Sequence, residues 1–344
     1  MRNKSFWVIV CLGLILFVWY RAYSVDPGGT TYQESRSLMG TFVRLQICSS
    51  GLTEPKIKQK LKPVWDRLRQ IEAEMSAYRA QSAVSRINRS YPDAVAVSAG
   101  LYRLLQESVR LSQATQGAFD VTVKPLIDLW DQKARAGQVP SQKEIQKVRT
   151  SVGMDQLILK NGRKVRLAHP GTAIDLGAIA KGFAVDEAAC ILKKQGFDHF
   201  YIDAGGDLYL SGFSCRDRAW RIGVRDPRDK TKVMEVLHIT DSAITTSGDY
   251  EQFYTIAGKR YSHIIDPKTG HPEETVVSAT VIAPHAIEAD ALSTALCVLE
   301  PKEGIRLVNA LGKGYAALMV TLSDDNDLQQ WKSQKFDQYL QKQD

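Results

Sequence analysis

Histidine and cysteine are scarce, six and five residues in a chain of 344. The cysteines are widely spaced and no two stand in a C-x-x-C pair, which argues against a zinc site or a dithiol redox centre. There is no long block of lysine or arginine, so a nucleic-acid role has little support. Internal repeats and low-complexity runs are also absent, which leaves an ordinary globular chain rather than a solenoid or a disordered segment. Hydrophobic residues make up 44% and charged residues 24%, enough to bury one large core or two modest ones.

One long hydrophobic run is present, and it lies at the start. Arg2 and Lys4 precede an uncharged stretch from Ser5 to Tyr20, and Arg21 closes it. A basic start followed by an apolar run is the export pattern. The run is slightly shorter than the roughly 17–25 residues of a spanning helix, while small residues at Ala22 and Ser24 would permit cleavage. A retained anchor and a cleaved signal both remain open, and either sends the body across the membrane with the positive end in the cytoplasm. Arg2, Lys4 and Arg21 belong to this leader and no acid does, so the formal charge of +7 leaves +4 on the body. The reading divides the chain into a leader at 1–24, a Pro/Gly-containing linker at 25–37 and one domain at 38–344.

Within the body, a strand-like run from Thr41 to Ile47 is followed by helical patterns over 57–77 and 99–115, joined by a polar segment. A polar, basic-biased stretch from Gln132 to Ser151 is also expected to be helical. Asn161-Gly162 between alternating residues signals a hairpin. AIDLGAIAKGFAVDEAACIL starts as a strand and turns into a helix from about Ala178, ending near Gly196. The later chain is rich in strands, with helices over 286–299 and after Pro301 and a polar terminal helix. Hairpin links with helices gathered in blocks predict an α+β fold, with mixed, mainly antiparallel sheets and helices packed on them. Cys190 and Cys297 fall in helical stretches and read as packing residues. Export allows a disulfide among the cysteines, but the sequence does not pair them.

Three short stretches have the residue types for chemistry. In EADALSTAL, Asp290 and Thr294 are four apart, so a helix stacks their oxygens on one face. A carboxylate with a hydroxyl suits magnesium, whose shell is usually completed by phosphate and water; an exposed acid beside a self-bonded threonine fits the same spacing. At Asp175-Leu176-Gly177 a strand gives way to a helix whose free N–H groups and positive dipole end favour phosphate, with Lys181 one turn in. A solvated lysine beside a tight turn is the plainer alternative. In YSHIIDPKTGHP, His263 sits among turn-forming polar residues and can take a proton from a hydroxyl near neutral pH; a strand histidine bonded to backbone fits equally. Ser247 and Gly248 read as a small polar turn of unassigned use.

Taken together, MGT, MSAYRAQSAVSRIN, GAFDVTVKPLIDLW, DLGAIAKG, YIDAGGD, WRIGVRDP, TSGDYEQF, SHIIDPKTG and EADALSTAL, in this order, resemble the ApbE family of FAD:protein FMN transferases. The resemblance runs from Leu38 to the last strand. It implies that a Mg²⁺-bound FAD is attacked by a threonine hydroxyl of an acceptor protein of an electron-transfer complex, that FMN becomes esterified to it, and that AMP leaves. It implies metal ligation by the Ala178 carbonyl, Asp290 and Thr294, and phosphate neutralisation by Lys181. Asp175 would hold a polar part of FAD. Flavin or adenine contacts are implied at Met39, Tyr78, Ala118, Phe119, Asp120, His263 and Ile264, with His263 the candidate base. Ala77 and Ala83 stand where the family pattern is more polar, and the stretch after DLW leaves substrate access around Gln132 open. A Mg²⁺-dependent FAD pyrophosphatase and a non-catalytic flavin carrier are the competing readings. Tyr78, an aromatic at the flavin-side motif, favours retention of FAD for a protein acceptor. Export would place the protein at the membrane, on the periplasmic side in a Gram-negative cell.

Overall fold

The computed structural model describes residues 30–49, 51–216, 218–229, 231–249, 253–323 and 327–340. The proposed leader lies outside the described residues. Among those described, no helix is long and apolar enough to cross a membrane.

In chain order the elements are β1 (Thr30–Leu38), β2 (Thr41–Ser49), α1 (Glu54–Met75), α2 (Ala83–Asn88), β3 (Val95–Ala96), α3 (Ala99–Ala114), α4 (Lys124–Arg135), α5 (Gln142–Arg149), β4 (Leu157–Lys160), β5 (Lys164–Leu167), α6 (Ala180–Lys194), β6 (Phe200–Ala204) and β7 (Asp207–Ser211). Then come β8 (Trp220–Arg225), β9 (Val233–Ile239), β10 (Ser242–Gly248), β11 (Phe253–Ile256), β12 (Lys259–Ser262), β13 (Val276–Ala283), α7 (Ala286–Val298), α8 (Pro301–Leu311), β14 (Ala316–Leu322) and β15 (Leu328–Lys332).

Eight strands form one sheet in the order β1-β2-β6-β7-β10-β13-β14-β15, antiparallel at every pair. The α+β class with mainly antiparallel sheets is therefore the architecture observed. Strands buried on both faces lose the hydrophobic–polar alternation, and β13, VVSATVIA, is buried at every residue. On one face α7 packs over β10 and β13, with α6 beside it and α1 beyond, burying Leu45, Val64, Phe183, Val281 and Leu292 among others. On the other face the β8–β9 hairpin and a 3₁₀ turn at Phe336–Tyr339 bury Trp220, Leu237, Ile244 and Phe336. A third cluster, Leu126, Trp130, Ile145, Ile256 and Ile265, holds α4, α5 and the β11–β12 hairpin together. The Asn161-Gly162 turn joins β4 to β5 as expected.

Several local expectations fail. Most of the expected linker, from Thr30, is strand β1, whose polar sequence hid it; Tyr32, Glu34 and Arg36 hydrogen-bond to one another along it. The expected terminal helix is instead β15, paired with β14, and the short 3₁₀ turn. Ser247 and Gly248 are not a turn; they end β10, a central strand paired on both sides. The polar joining segment contains α2, whose N-cap Ser82 accepts a hydrogen bond from the Ser85 N–H. Cys297 is buried, whereas Cys190 is exposed and does not serve packing. Cys48 and Cys215 form a disulfide.

Candidate functional site

The β1–β2 connection is a two-residue hairpin with positive φ at both Met39 (56°) and Gly40 (72°), the geometry that matches strand twist. The Met39 N–H donates to the Glu72 carboxylate of α1 at 3.0 Å, which fixes the hairpin tip against the helix. Met39 and Gly40 stand at the rim of a cavity of about 790 Å³, within the size range of cofactor sites.

The extended segment before α6 is clamped by α2. The Asn88 amide donates to the Ile174 carbonyl at 2.9 Å and accepts from the Ile174 N–H at 2.8 Å. Next comes Asp175, whose Oδ1 accepts from the Gly177 N–H at 2.7 Å, closing the turn that exposes Gly177 and Ala178 to the cavity. Asp175 Oδ2 is buried with no hydrogen-bonding partner among the described residues, and burial raises its pKa above the usual aspartate range.

Helix α6 then brings Lys181 against α7. At Gly182 the two backbones meet so closely that a Cβ would lie 2.3 Å from the Ala286 carbonyl oxygen, so only glycine fits there. Its N–H donates to Asp290 Oδ2 at 2.9 Å. One turn on, Asp186 caps α7, accepting from the N–H groups of Ala286 and Ile287 at 2.8 and 2.9 Å; burial pushes its carboxyl up to about 6. These contacts set the register of α7 against α6. As a result Lys181 Nζ pairs with Asp207 and stands 4.0 Å from Asp290 Oδ1. Thr294, one turn beyond Asp290, lies 3.4 Å from the Ser247 hydroxyl, which also bonds Ser293 at 2.8 Å.

Part of the cavity lining is aromatic. Tyr78 is 81% exposed, with Lys124 5.7 Å from its ring centroid, and its hydroxyl pKa is raised chiefly by the Asp175 charge. Phe253 and Tyr254 of β11 complete this wall, Tyr254 stacking on Trp130. Ala118, Phe119, Asp120, His263 and Ile264 also line the cavity. Asp120 accepts from the Thr122 N–H and hydroxyl at 2.7 and 2.5 Å, and burial still raises its pKa.

Met39, Tyr78, the 118–120 triplet, Asp175, Ala178, Lys181, His263, Ile264, Asp290 and Thr294 thus all line one cavity, although they come from segments up to 255 residues apart in the chain. Gln132 does not line it; its neighbour Asp131 does. Sequence reasoning missed Asp207 as a functional residue. It is fully buried, holds the Lys181 ammonium through Oδ2, and has no hydrogen-bonding partner for Oδ1 among the described residues. The available signal was an acid directly after Gly205-Gly206. Ser247, mistaken for a turn residue, was missed for the same lack of long-range information.

The donor set suits a hard divalent cation. No group of three or more His, Cys, Asp or Glu that could hold a metal occurs among the described residues. The Asp290 carboxylate, the Thr294 hydroxyl and the Ala178 carbonyl, all at the cavity, are oxygen donors of the kind that leave part of the shell to phosphate and water.

A model of the ApbE family matches residues 39–319. An FAD:protein FMN transferase of Vibrio cholerae is 34% identical over 99% of this chain and all of its own length. One from Escherichia coli K12 is 33% identical over 88% of this chain and 87% of its own. Among solved structures, the ApbE protein of Thermotoga maritima superposes with a TM-score of 0.80 at 31% identity, covering 91% of this chain and 100% of that one. The flavin transferase ApbE of Vibrio cholerae gives 0.80 at 32% identity with the same coverage. With a family model covering most of its length and relatives matching it nearly end to end, the chain belongs to the ApbE family.

Proposed function

We propose that the protein is an FAD:protein FMN transferase that esterifies FMN to a threonine of an acceptor subunit of an electron-transfer complex. The observation that carries this is the single cavity, lined both by charged and oxygen-bearing groups, Asp175, Lys181, Asp290 and Thr294, and by the rings of Tyr78, Phe119, Phe253 and Tyr254. A diphosphate joined to a flavin and an adenosine has that combination of charge and ring.

The Ala178 carbonyl, Asp290 and Thr294 are the residues that would hold Mg²⁺. When bound, it neutralises charge on the diphosphate oxygens. Lys181 adds a fixed ammonium beside the same oxygens, and Asp207 keeps that ammonium in place. Asp175, with one buried oxygen unpartnered among the described residues, accepts from a polar group of FAD. The aromatic residues orient the rings. Attack at phosphorus depends on alignment and charge neutralisation more than on covalent help. The threonine Oγ–P bond forms as the bond from phosphorus to the AMP oxygen breaks, and His263 takes the hydroxyl proton. The Cys48–Cys215 disulfide supports an exported body, since such bonds persist in oxidising compartments, and we assign residues 1–24 as the leader that sends it there.

The test is to incubate the protein with FAD, Mg²⁺ and an acceptor domain with an exposed threonine, then weigh the acceptor intact and assay AMP. The expected result is a mass gain of one FMN per acceptor with equimolar AMP. AMP and free FMN without a mass gain would replace this reading with a pyrophosphatase, and FAD binding without AMP would leave a carrier. A His263→Ala enzyme is expected to bind FAD normally and turn over on the order of 10²-fold more slowly; wild-type turnover would remove His263 as the base.

A further inference from the structure

A second concavity opens on the face of the sheet turned away from the helices. Along β2, Val43, Leu45 and Ile47 enter the helix-side core, so Arg44, Gln46 and Cys48 point the other way. There they meet the 214–222 segment around a cavity of about 390 Å³. Four guanidinium groups line it, from Arg44, Arg216, Arg218 and Arg221. Tyr201 and Trp220, stacked with centroids 5.8 Å apart, form a rigid wall. Among the described residues Asp203 is a nearby acid and accepts from the Tyr201 hydroxyl at 3.0 Å; Asp217, between Arg216 and Arg218 in the chain, lies outside them. Among the described residues no carboxylate lies within ion-pairing distance of Arg44, Arg218 or Arg221. The loop is held in place by the Cys48–Cys215 disulfide and by the Arg218 carbonyl, which accepts from the Ser214 N–H at 2.8 Å.

We propose that this pocket binds a phosphate group, supplied by the headgroup of a bilayer phospholipid. Planar guanidinium forks match phosphate oxygens in pairs, and several converging on one cavity make an anion site rather than a solvated face. The strand register indicates the source. Thr30 pairs with Ser49, next to Cys48, so the chain coming from the N-terminal apolar run joins the sheet beside the arginine loop. Residues 21–29 separate that run from β1 and span at most roughly 30 Å when fully extended. This argument rests on the leader being inserted in the membrane. Such a tether keeps the arginine loop within reach of the headgroups, while Met39 at the FAD cavity lies at the other end of β1, about 30 Å from Thr30. The enzyme is thereby held by one end with its active cavity pointing off the membrane toward its acceptor.

The test uses the full chain in phosphatidylcholine nanodiscs, with or without phosphatidylglycerol, and follows hydrogen exchange of backbone amides in 214–222. Exchange is expected to slow roughly tenfold with phosphatidylglycerol. An Arg218→Gln/Arg221→Gln variant, expected to keep wild-type AMP release, should lose that slowing. Slowing by inorganic phosphate in phosphatidylcholine discs but not by phosphatidylglycerol would keep the pocket and overturn the lipid as its source. Slowing only on addition of an acidic protein, or under no condition, would overturn the proposal. If the chain fails to enter discs, the leader reading fails separately, and the phosphate arm, run in solution, still decides the pocket. Loss of AMP release in wild type would bear on the transferase reading alone.

Discussion

In the cavity wall Asp290 is 2% exposed and accepts from the Gly182 N–H, and behind the wall Asp207, 0% exposed, holds the Lys181 ammonium; the aromatic residues Tyr78 and Phe253 are 81% and 46% exposed. The charged groups are held by contacts between α6, α7 and β7, elements that also belong to the main core. Of the aromatic residues, Tyr254 lies on the β11–β12 hairpin, which rests on the small third cluster, whereas the short loop carrying Tyr78 is flanked by Met75, Ala77 and Ala83 of the main core. Groups that stabilise developing charge act best when fixed beforehand. Groups that only cover rings can adjust to the ligand. The contrast assigns rate to the buried charged groups and affinity to the exposed rings.

The strongest way to break that assignment is Asp290→Ala. Turnover is expected to fall on the order of 10³-fold, with FAD affinity measured alongside by fluorescence quenching; a loss confined to affinity would reverse the roles. Gly182→Ala tests whether the charged groups depend on core packing. Its Cβ would stand 2.8 Å from the Asp290 Cβ as well as against the Ala286 backbone, so a loss of about 3 kcal/mol is expected in denaturant melts. An unchanged midpoint would mean that α6 and α7 separate freely.

Tyr78→Ala is expected to weaken FAD binding roughly tenfold with little effect on kcat. Equal loss in both would place Tyr78 in the chemistry. The smallest effect concerns the loop carrying His263. Glu273, whose N–H donates to the Ile264 carbonyl at 2.9 Å, is pushed up to about 7 by burial and by the charges of Asp266, Glu300 and Glu274. A carboxyl raised from its ordinary 4.5 binds more protons folded than unfolded, so its contribution is full below pH 4.5 and lost as pH rises through about 7. Between pH 5 and 8 the Tm of Glu273→Gln should therefore fall less than that of wild type, by on the order of 1–2 °C. Parallel pH profiles would contradict this.

Much of the site was legible because its residues sit in short motifs whose local structure is self-determined. The four-residue spacing of Asp290 and Thr294 needs only a helix, and Asp175-Leu176-Gly177 needs only a turn. What the sequence hid depends on distant partners. β10 ends in Ser247 and Gly248, poor strand signals alone, and is a strand there because β13 pairs with both and the Thr246 and Thr280 hydroxyls bond across at 2.8 Å. β1 alternates without apolar residues on its outer face, as an edge strand does. Asp207 gains its role only when α6 swings Lys181 onto it, and Cys48 meets Cys215 across a separation of 167 residues.

The most direct measurement is a crystal structure with FAD and Mn²⁺ in place of Mg²⁺, read by anomalous scattering. The expected result is one peak contacting the Ala178 carbonyl, Asp290 and Thr294, with the FAD diphosphate beside Lys181 and its rings toward Tyr78. A peak on other ligands, or a diphosphate lying against Tyr78 and Phe253, would contradict the account.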